Sequence, residues 1–156
     1  MQTTTLEPRI AHPVFALEGA MEALQGMSKA VSRARLSPGL LELMHLRASQ
    51  INGCGVCAVQ HPKLARKLGE SDDRIFAVAA WRDAPYFTDA ERAALALTEA
   101  LTRIADTADP VPDEVWNDAA EHYDEQELAA LVLSIAQINV WNRLNVATRQ
   151  VAGQEW

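Results

Sequence analysis

Residues 52–61 read NGCGVCAVQH and contain both cysteines of the chain, followed by a histidine. Asn52-Gly53 is a dipeptide that ends helices, and helical spacing resumes directly after it. At about 100° per residue, Cys54, Cys57 and His61 fall on one stripe of the helix that begins here. The segment therefore predicts two helices folded back against each other, with both thiols near the start of the second.

Helix signals continue along the chain, and no stretch alternates apolar and polar residues for long. A first helix is expected from Pro13 into the low thirties, with an interruption at Gly26. The pair Ser37-Pro38 begins a second helix, which Asn52-Gly53 ends. The remaining helices are expected from Cys54 to Gly69, after Ser71, after the capping box Thr88–Glu91, after Asp113, and from Asp124 toward Val151. The sequence therefore predicts a single-domain, all-α bundle of about six to seven helices.

The bulk properties of the chain suit one helical domain with no nucleic-acid or membrane partner. Its 156 residues are divided into an N-terminal extension, residues 1–12, and a helical domain, residues 13–156. The net charge is −7 and no cluster of Lys and Arg is present, which argues against binding to nucleic acid. Neither a signal-peptide pattern nor eighteen consecutive apolar residues occur, so a cytoplasmic protein is expected. A close cysteine pair in a reducing compartment is typically catalytic or metal-binding.

The cysteine pair has the placement of a redox site. Cys54 lies at the first turn of its helix, where unpaired N–H groups and the helix dipole favour an anion and lower a thiol pKa. The thiolate is the species that attacks peroxides and disulfides, and a second thiol one turn away can resolve the sulfenic acid as a disulfide. His61, four residues after Cys57, can accept or return the proton. The dipole favours Cys54 as the attacking thiol and the histidine favours Cys57; we take Cys57 to attack and Cys54 to resolve.

Glu42 is a further candidate because of its place on the preceding helix. It lies between the apolar stripe of that helix and a second apolar face formed by Leu43 and Leu46, so partial burial is expected. A buried carboxylate needs a partner or takes up a proton, which is how general acids and bases are tuned. The turn at Asn52-Gly53 would bring Glu42 to face the thiol stripe. His45, one turn away, is interpreted as a polar helix residue without a catalytic role.

The spacing of these residues resembles a known family. Glu42, Cys54, Cys57 and His61 stand as Glu-x11-Cys-x2-Cys-x3-His, the pattern of the redox-active members of the alkylhydroperoxidase D and carboxymuconolactone decarboxylase superfamily. The resemblance covers about residues 13–150. Further similar stretches are LRASQINGC, ARKLGES, FTDAERAALALTEAL and INVWNRLNVATR. The resemblance implies an alkylhydroperoxidase D-like all-helical fold that assembles as a homotrimer or homohexamer.

The resemblance also implies an activity, without a cofactor or metal. The cysteine pair would reduce a hydroperoxide with proton help from His61 and Glu42, and a dithiol donor, a lipoyl-bearing or thioredoxin-like protein, would then reduce the pair. Two positions depart from the pattern. Val56 stands where the best-known member has a second histidine, which removes any relay step through that group. Pro62 removes one helical hydrogen bond directly after His61 and can loosen the adjacency of Cys57 and His61.

Other interpretations of the same residues remain open. A lyase of the carboxymuconolactone decarboxylase type shares the fold but does not depend on a cysteine pair, and a thiol redox sensor or exchange protein would use the pair without catalysis. The cysteines can also fill core space, or join His61 in a zinc site, although no second Cys/His pair completes a closed one. On the last helix, Asn139 and Asn142 fall on the apolar stripe, so they are expected to be buried and hydrogen-bonded.

Overall fold

The computed structural model describes residues 5–154, and within them the chain forms eight α-helices, one 3₁₀ segment and no strand. The helices are α1 Pro13–Ala16, α2 Ala20–Val31, α3 Pro38–Asn52, α4 Gly55–Lys67, α5 Asp72–Ala77, α6 Asp89–Thr102, α7 Asp113–His122 and α8 Glu125–Thr148, and the 3₁₀ segment is Val78–Asp83. Across the described residues, no helix combines the length and the apolar character that crossing a bilayer requires.

The all-α class is confirmed, but the expected number of helices is too low. The first predicted helix is two helices, α1 and α2: Leu17 is extended and ends α1, and Gly19, whose φ of 80° is left-handed, is the N-cap of α2. Gly26, where the interruption was expected, stays inside α2. A glycine in a helix interior costs only about 1 kcal/mol relative to alanine, so it does not end a helix by itself.

The turn between α3 and α4 follows the expected chemistry. Ser37 caps the start of α3 by accepting the backbone N–H of Leu40. Gly53 ends α3 with a φ of 66°, a conformation in which a side chain would be strained. Cys54 is then extended and is the N-cap of α4, with its backbone N–H donated to the carbonyl of Ser49. Gly53 and Cys54 therefore reverse the direction of the chain and place the Cys54 thiol at the N-terminus of α4.

The core lies among α3, α6 and α8, with α3 in the middle, in contact with α4, α6 and α8. Its fully buried large side chains include Leu43, Met44, Leu95, Leu97, Leu131 and Ile135. A second, smaller cluster contains both cysteines with Ala48, Val56 and Ile138, and Trp141 packs against it. The thiols are therefore held between α3, α4 and α8.

A buried carboxylate ties α3 to the 3₁₀ segment and α6. Glu99 accepts hydrogen bonds from Arg47 at 2.6 Å, from Arg82 at 2.6 Å and from the Trp81 indole at 3.0 Å. Burial acts to raise the pKa of Glu99, but the hydrogen bonds from Arg82, Arg47 and Trp81 outweigh it and lower the pKa. Since the charge is fully paired, this cluster fixes α3, the helix that carries Glu42.

The N-terminal segment crosses the C-terminal end of α8. The backbone N–H of Arg9 donates to the carbonyl of Thr148 at 2.8 Å, and its guanidinium donates to the carbonyl of Ala147 at 3.1 Å. Gln150 donates its amide to the carbonyl of Ile10 at 3.1 Å. Of the predicted extension and domain, residues 1–4 and 155–156 lie outside the described residues, and the division after residue 12 stays a prediction.

Candidate functional site

The two cysteines form a close pair at the start of α4. Cys54 is the N-cap and Cys57 lies in the first turn, and the two are 3.2 Å apart. Their side chains are hydrogen-bonded to each other. Both are free thiols, with 1% and 3% of their surface exposed. A pair one turn apart at this separation can form a disulfide with little backbone movement.

The hydrogen bond between the thiols separates their acidities. The Cys57 thiol donates to the Cys54 sulfur and lowers the pKa of Cys54 to about 6, although burial opposes this. The backbone N–H of Cys57 and the amides of Asn145 and Asn142 lower it further. The pKa of Cys57 is raised, because its proton is held by Cys54 and because it is buried. The lowered pKa favours Cys54 as the attacking sulfur, whereas the sequence analysis took Cys57 to attack.

A group of buried amides from α8 surrounds the pair. Asn145 donates its Nδ2 to the Cys57 Sγ at 3.4 Å, and Asn142 donates to the Ser49 hydroxyl at 3.0 Å. Asn52 donates to the Oδ1 atoms of both Asn139 and Asn142 at 2.9 Å. The expectation that Asn139 and Asn142 are buried and hydrogen-bonded is confirmed. Sequence reasoning missed Asn145, although it lies one turn beyond Asn142 on the same helix.

Glu42 and His61 form a second pair across α3 and α4. The Glu42 Oε2 lies 2.6 Å from the His61 Nδ1, and the Glu42 side chain is 17% exposed, so the expected partial burial is confirmed. Among residues 5–154, no hydrogen bond joins His61 to either cysteine sulfur. The His61 imidazole is hydrogen-bonded to the Glu42 carboxylate instead, and the adjacency of Cys57 and His61 on α4 stays a prediction.

His45 lies beside this acid–imidazole pair, and its interpretation as a polar helix residue without a catalytic role stays a prediction. Its Nε2 lies 2.7 Å from the Ser134 hydroxyl, its Nδ1 lies 4.0 Å from the Glu42 Oε1, and its ring centre is 5.1 Å from that of His61. Burial and the neighbouring His61 lower the pKa of His45 to about 3. The available signal was its i, i+3 spacing from Glu42, which places both side chains on one face of α3.

The same three residues are the candidates for holding a metal ion. One ligand atom each from Glu42, His45 and His61 lies within 4.8 Å of the others. In the described part of the chain, the cysteines belong to no such group. The zinc alternative built on the two cysteines and His61 therefore lacks the geometry of a three-ligand site.

The site opens to the surface on two sides. A cavity of about 210 Å³ is bordered by Cys54, Asn145, Arg149 and Gln150. A second cavity of about 270 Å³, lined by residues of α2, α3 and α8, reaches Glu42 and His45. The first cavity therefore borders the cysteine whose pKa is lowered.

Comparison with known proteins relates most of the chain to one family. The model of the carboxymuconolactone decarboxylase family matches residues 18–100. The uncharacterised protein YdfG of Bacillus subtilis (strain 168) is 38% identical over 142 residues, which are 91% of this chain and 95% of YdfG.

Solved structures agree with this relationship. A protein of unknown function from Agrobacterium tumefaciens, suggested to be an antioxidant defence protein AhpD, superimposes with a TM-score of 0.86 at 33% identity, covering 96% of this chain and all of that one. A peroxidase-related protein from Ralstonia eutropha JMP134, described as an alkylhydroperoxidase AhpD core, has a TM-score of 0.78 at 16% identity, covering 94% of this chain and 77% of that one. The second similarity is one of fold alone.

Proposed function

The chain belongs to the carboxymuconolactone decarboxylase family, and we propose that it is a thiol-dependent hydroperoxide reductase whose Cys54–Cys57 pair cycles between dithiol and disulfide. Membership of the family indicates peroxidase-related or decarboxylase-like activity. The observation that supports the first is a thiol with a pKa lowered to about 6 beside a second thiol 3.2 Å away. Two cysteines that only fill core space need no difference between their pKa values. Reduction of a peroxide requires one of the thiols to be ionised, because the thiolate is the nucleophile.

The proposed reaction begins with attack by the Cys54 thiolate on a peroxide oxygen. The O–O bond breaks, Cys54 becomes a sulfenic acid, and the leaving alkoxide takes up a proton to become the alcohol. Cys57 then attacks the sulfenic sulfur. The S–S bond forms, and the displaced hydroxide leaves as water with the Cys57 proton. The peroxide is reduced by two electrons and the thiol pair is oxidised by two.

Glu42 and His61 supply the proton in this proposal. With the Glu42 carboxylate accepting the Nδ1–H of His61 at 2.6 Å, the Nε2 atom is left to exchange protons. In this proposal the proton passes from Nε2 to the peroxide directly or through a bridging water. A positioned acid of this kind contributes about 10²–10⁴-fold to a rate.

A dithiol returns the pair to its starting state. One donor thiolate attacks the Cys54 sulfur from the 210 Å³ cavity and forms a mixed disulfide with it, and Cys57 leaves as a thiolate and takes up a proton. The second donor thiol loses its proton and attacks the donor sulfur of the mixed disulfide, so that Cys54 leaves as a thiolate and the donor leaves as its own disulfide. A lipoyl-bearing or thioredoxin-like protein fits this chemistry. The homotrimeric or homohexameric assembly implied by the resemblance is part of the same proposal.

The test is steady-state consumption of tert-butyl hydroperoxide with dihydrolipoamide as the donor. We expect wild type to consume many equivalents of hydroperoxide per chain and Cys57→Ser to consume at most one. The rate of consumption by His61→Gln should be lower than that of wild type by about 10²-fold or more. His122→Gln is the matched control, because His122 is an exposed histidine at the end of α7. Equal rates for wild type and Cys57→Ser would refute the peroxidase. A lyase of the carboxymuconolactone decarboxylase type needs no second thiol, so it would keep its activity in Cys57→Ser.

A further inference from the structure

His12 is a buried histidine that the proposed chemistry has not used. It is the N-cap of α1 and is 4% exposed. Its Nδ1 accepts the backbone N–H of Val14 at 3.2 Å, and its Nε2 lies 3.1 Å from the Oδ1 of Asn145. A ring nitrogen that accepts an N–H carries no proton, so the neutral imidazole holds its proton on Nε2 and donates it to Asn145.

This contact decides which way the Asn145 amide faces. Asn145 is 2% exposed, and its two amide ends reach His12 and Cys57 respectively. With Oδ1 taken by the His12 N–H, the NH₂ group points at the Cys57 Sγ, 3.4 Å away. The flipped amide would set a carbonyl oxygen against the sulfur and an N–H against the imidazole proton. Both contacts would be repulsive, and the first would oppose a thiolate.

We propose that His12 is a positioning residue of the thiol pair: it locks the Asn145 amide so that an N–H faces Cys57. The inference rests on the proposed function and extends it to the N-terminal segment. Both residues lie outside residues 18–100, the range that the family model matches. The hydrogen bonds of Arg9 to the last turn of α8 hold the segment in place over Asn145.

The step most affected is the return of the disulfide to the dithiol. When a donor thiolate attacks Cys54, the S–S bond breaks and negative charge develops on the departing Cys57 sulfur. A leaving thiolate that receives an N–H hydrogen bond departs faster, because the bond is stronger to a charged acceptor. Asn145 supplies that bond, and His12 keeps the amide turned to supply it.

Packing must be separated from positioning, since the His12 ring also lies 5.7 Å from the Trp141 ring. Two substitutions do this. His12→Asn keeps a helix-capping side chain for Val14 but is too short to reach Asn145. His12→Gln places an N–H close to the position of Nε2. Both lose the ring, and they differ in the hydrogen bond that they keep: His12→Asn retains the cap on Val14, and His12→Gln retains the donor to Asn145. A slower reduction of His12→Asn alone therefore cannot come from loss of the ring or of the cap.

The experiment measures the rate at which dithiothreitol reduces the oxidised full-length protein at fixed pH. His12→Asn is expected to slow reduction about tenfold and His12→Gln to stay within about twofold of wild type. In an Asn145→Ala background, His12→Asn is expected to add nothing, since the effect passes through the amide. Equal rates for the two substitutions, or effects that multiply in the double variant, would overturn the proposal.

A measurement on wild type removes any dependence on folding of the variants. Long-range ¹H–¹⁵N spectra report imidazole tautomers, and we expect His12 to be protonated on Nε2 alone; protonation on Nδ1 would overturn the proposal. Disulfide reduction involves no peroxide. If wild type fails to consume hydroperoxide but the His12 variants behave as expected, the proposed function is wrong and the positioning role stands.

Discussion

Replacing Cys57 by alanine should raise the pKa of Cys54, because the Cys57 thiol is the largest single contribution to lowering it. Alanine removes the donated S–H while leaving the α4 N-terminus and both asparagine amides in place. Serine at the same position is the matched control, since its hydroxyl can still donate to the Cys54 sulfur. Neither variant can form the disulfide, so the comparison isolates acidity.

The size of the effect follows from the hydrogen bond that is lost. A hydrogen bond to a charged group contributes about 1.5–3 kcal/mol, which corresponds to about one to two pKa units. From about 6 in wild type, the Cys54 pKa in Cys57→Ala is expected at about 7–8. The thiolate fraction at pH 7 then falls from about nine-tenths to between about one-half and one-tenth.

The assay is the rate of iodoacetamide alkylation against pH, with the modified cysteine identified by peptide mass spectrometry. In wild type, Cys54 should react first, and its rate should rise as pH increases through about 6 and then level off. At pH 7, alkylation of Cys57→Ala should be about two- to tenfold slower, with Cys57→Ser closer to wild type. Earlier alkylation of Cys57 in wild type, or the same midpoint in Cys57→Ala and wild type, would refute the assignment of the thiolate.

Three further changes have expected outcomes. Glu42→Gln removes the carboxylate that orients His61, so kcat for hydroperoxide should fall about 10–100-fold while the Cys54 alkylation midpoint stays in place; a shifted midpoint would show that Glu42 acts on the sulfur instead. His45 has a pKa of about 3 in the fold and about 6.5 unfolded, so the unfolded state binds more protons between these values and stability falls as pH drops below 6.5. Between pH 7 and pH 5, the free energy of unfolding measured by urea denaturation should fall by about 2 kcal/mol less in His45→Gln than in wild type. An equal fall in the two proteins would contradict the burial of a neutral His45. Gly53→Ala should lower the free energy of unfolding, measured in the same way, by about 1–2 kcal/mol, because φ at Gly53 is 66°. Gly55→Ala is the control and should lower the free energy of unfolding less, because a Cβ added there meets only ordinary van der Waals contact.

The proximity of Glu42 to His61 was accessible from the sequence because both lie on helices joined by a two-residue turn. Once Gly53 ends α3 and Cys54 starts α4, helical periodicity decides which side chains face each other. The same local rules gave the caps at Ser37, Thr88 and Asp124, all of which are formed.

The contacts that sequence reasoning missed join distant parts of the chain. His12 and Asn145 are 133 residues apart, and His45 meets Ser134 across 89 residues. Periodicity within one helix carries no information about such pairs, which depend on how helices pack. The break at Gly19 was missed for a different reason: either of two glycines can interrupt a helix, and only the backbone conformation distinguishes them.

The acidities of the two cysteines were also beyond the sequence. The dipole argument pointed to Cys54 and the nearby histidine to Cys57, and the choice fell on Cys57. In the fold the His61 imidazole is hydrogen-bonded to Glu42, and the hydrogen bond from the Cys57 thiol lowers the pKa of Cys54, which favours Cys54.

The central claim, that this pair of thiols cycles with hydroperoxide, is tested most directly by the intact mass of the reduced protein before and after one equivalent of tert-butyl hydroperoxide. We predict a loss of two hydrogen atoms per chain, restored by dithiothreitol, with peptide mapping that locates the new bond between Cys54 and Cys57. An unchanged mass, or a stable gain of oxygen without a disulfide, would contradict it.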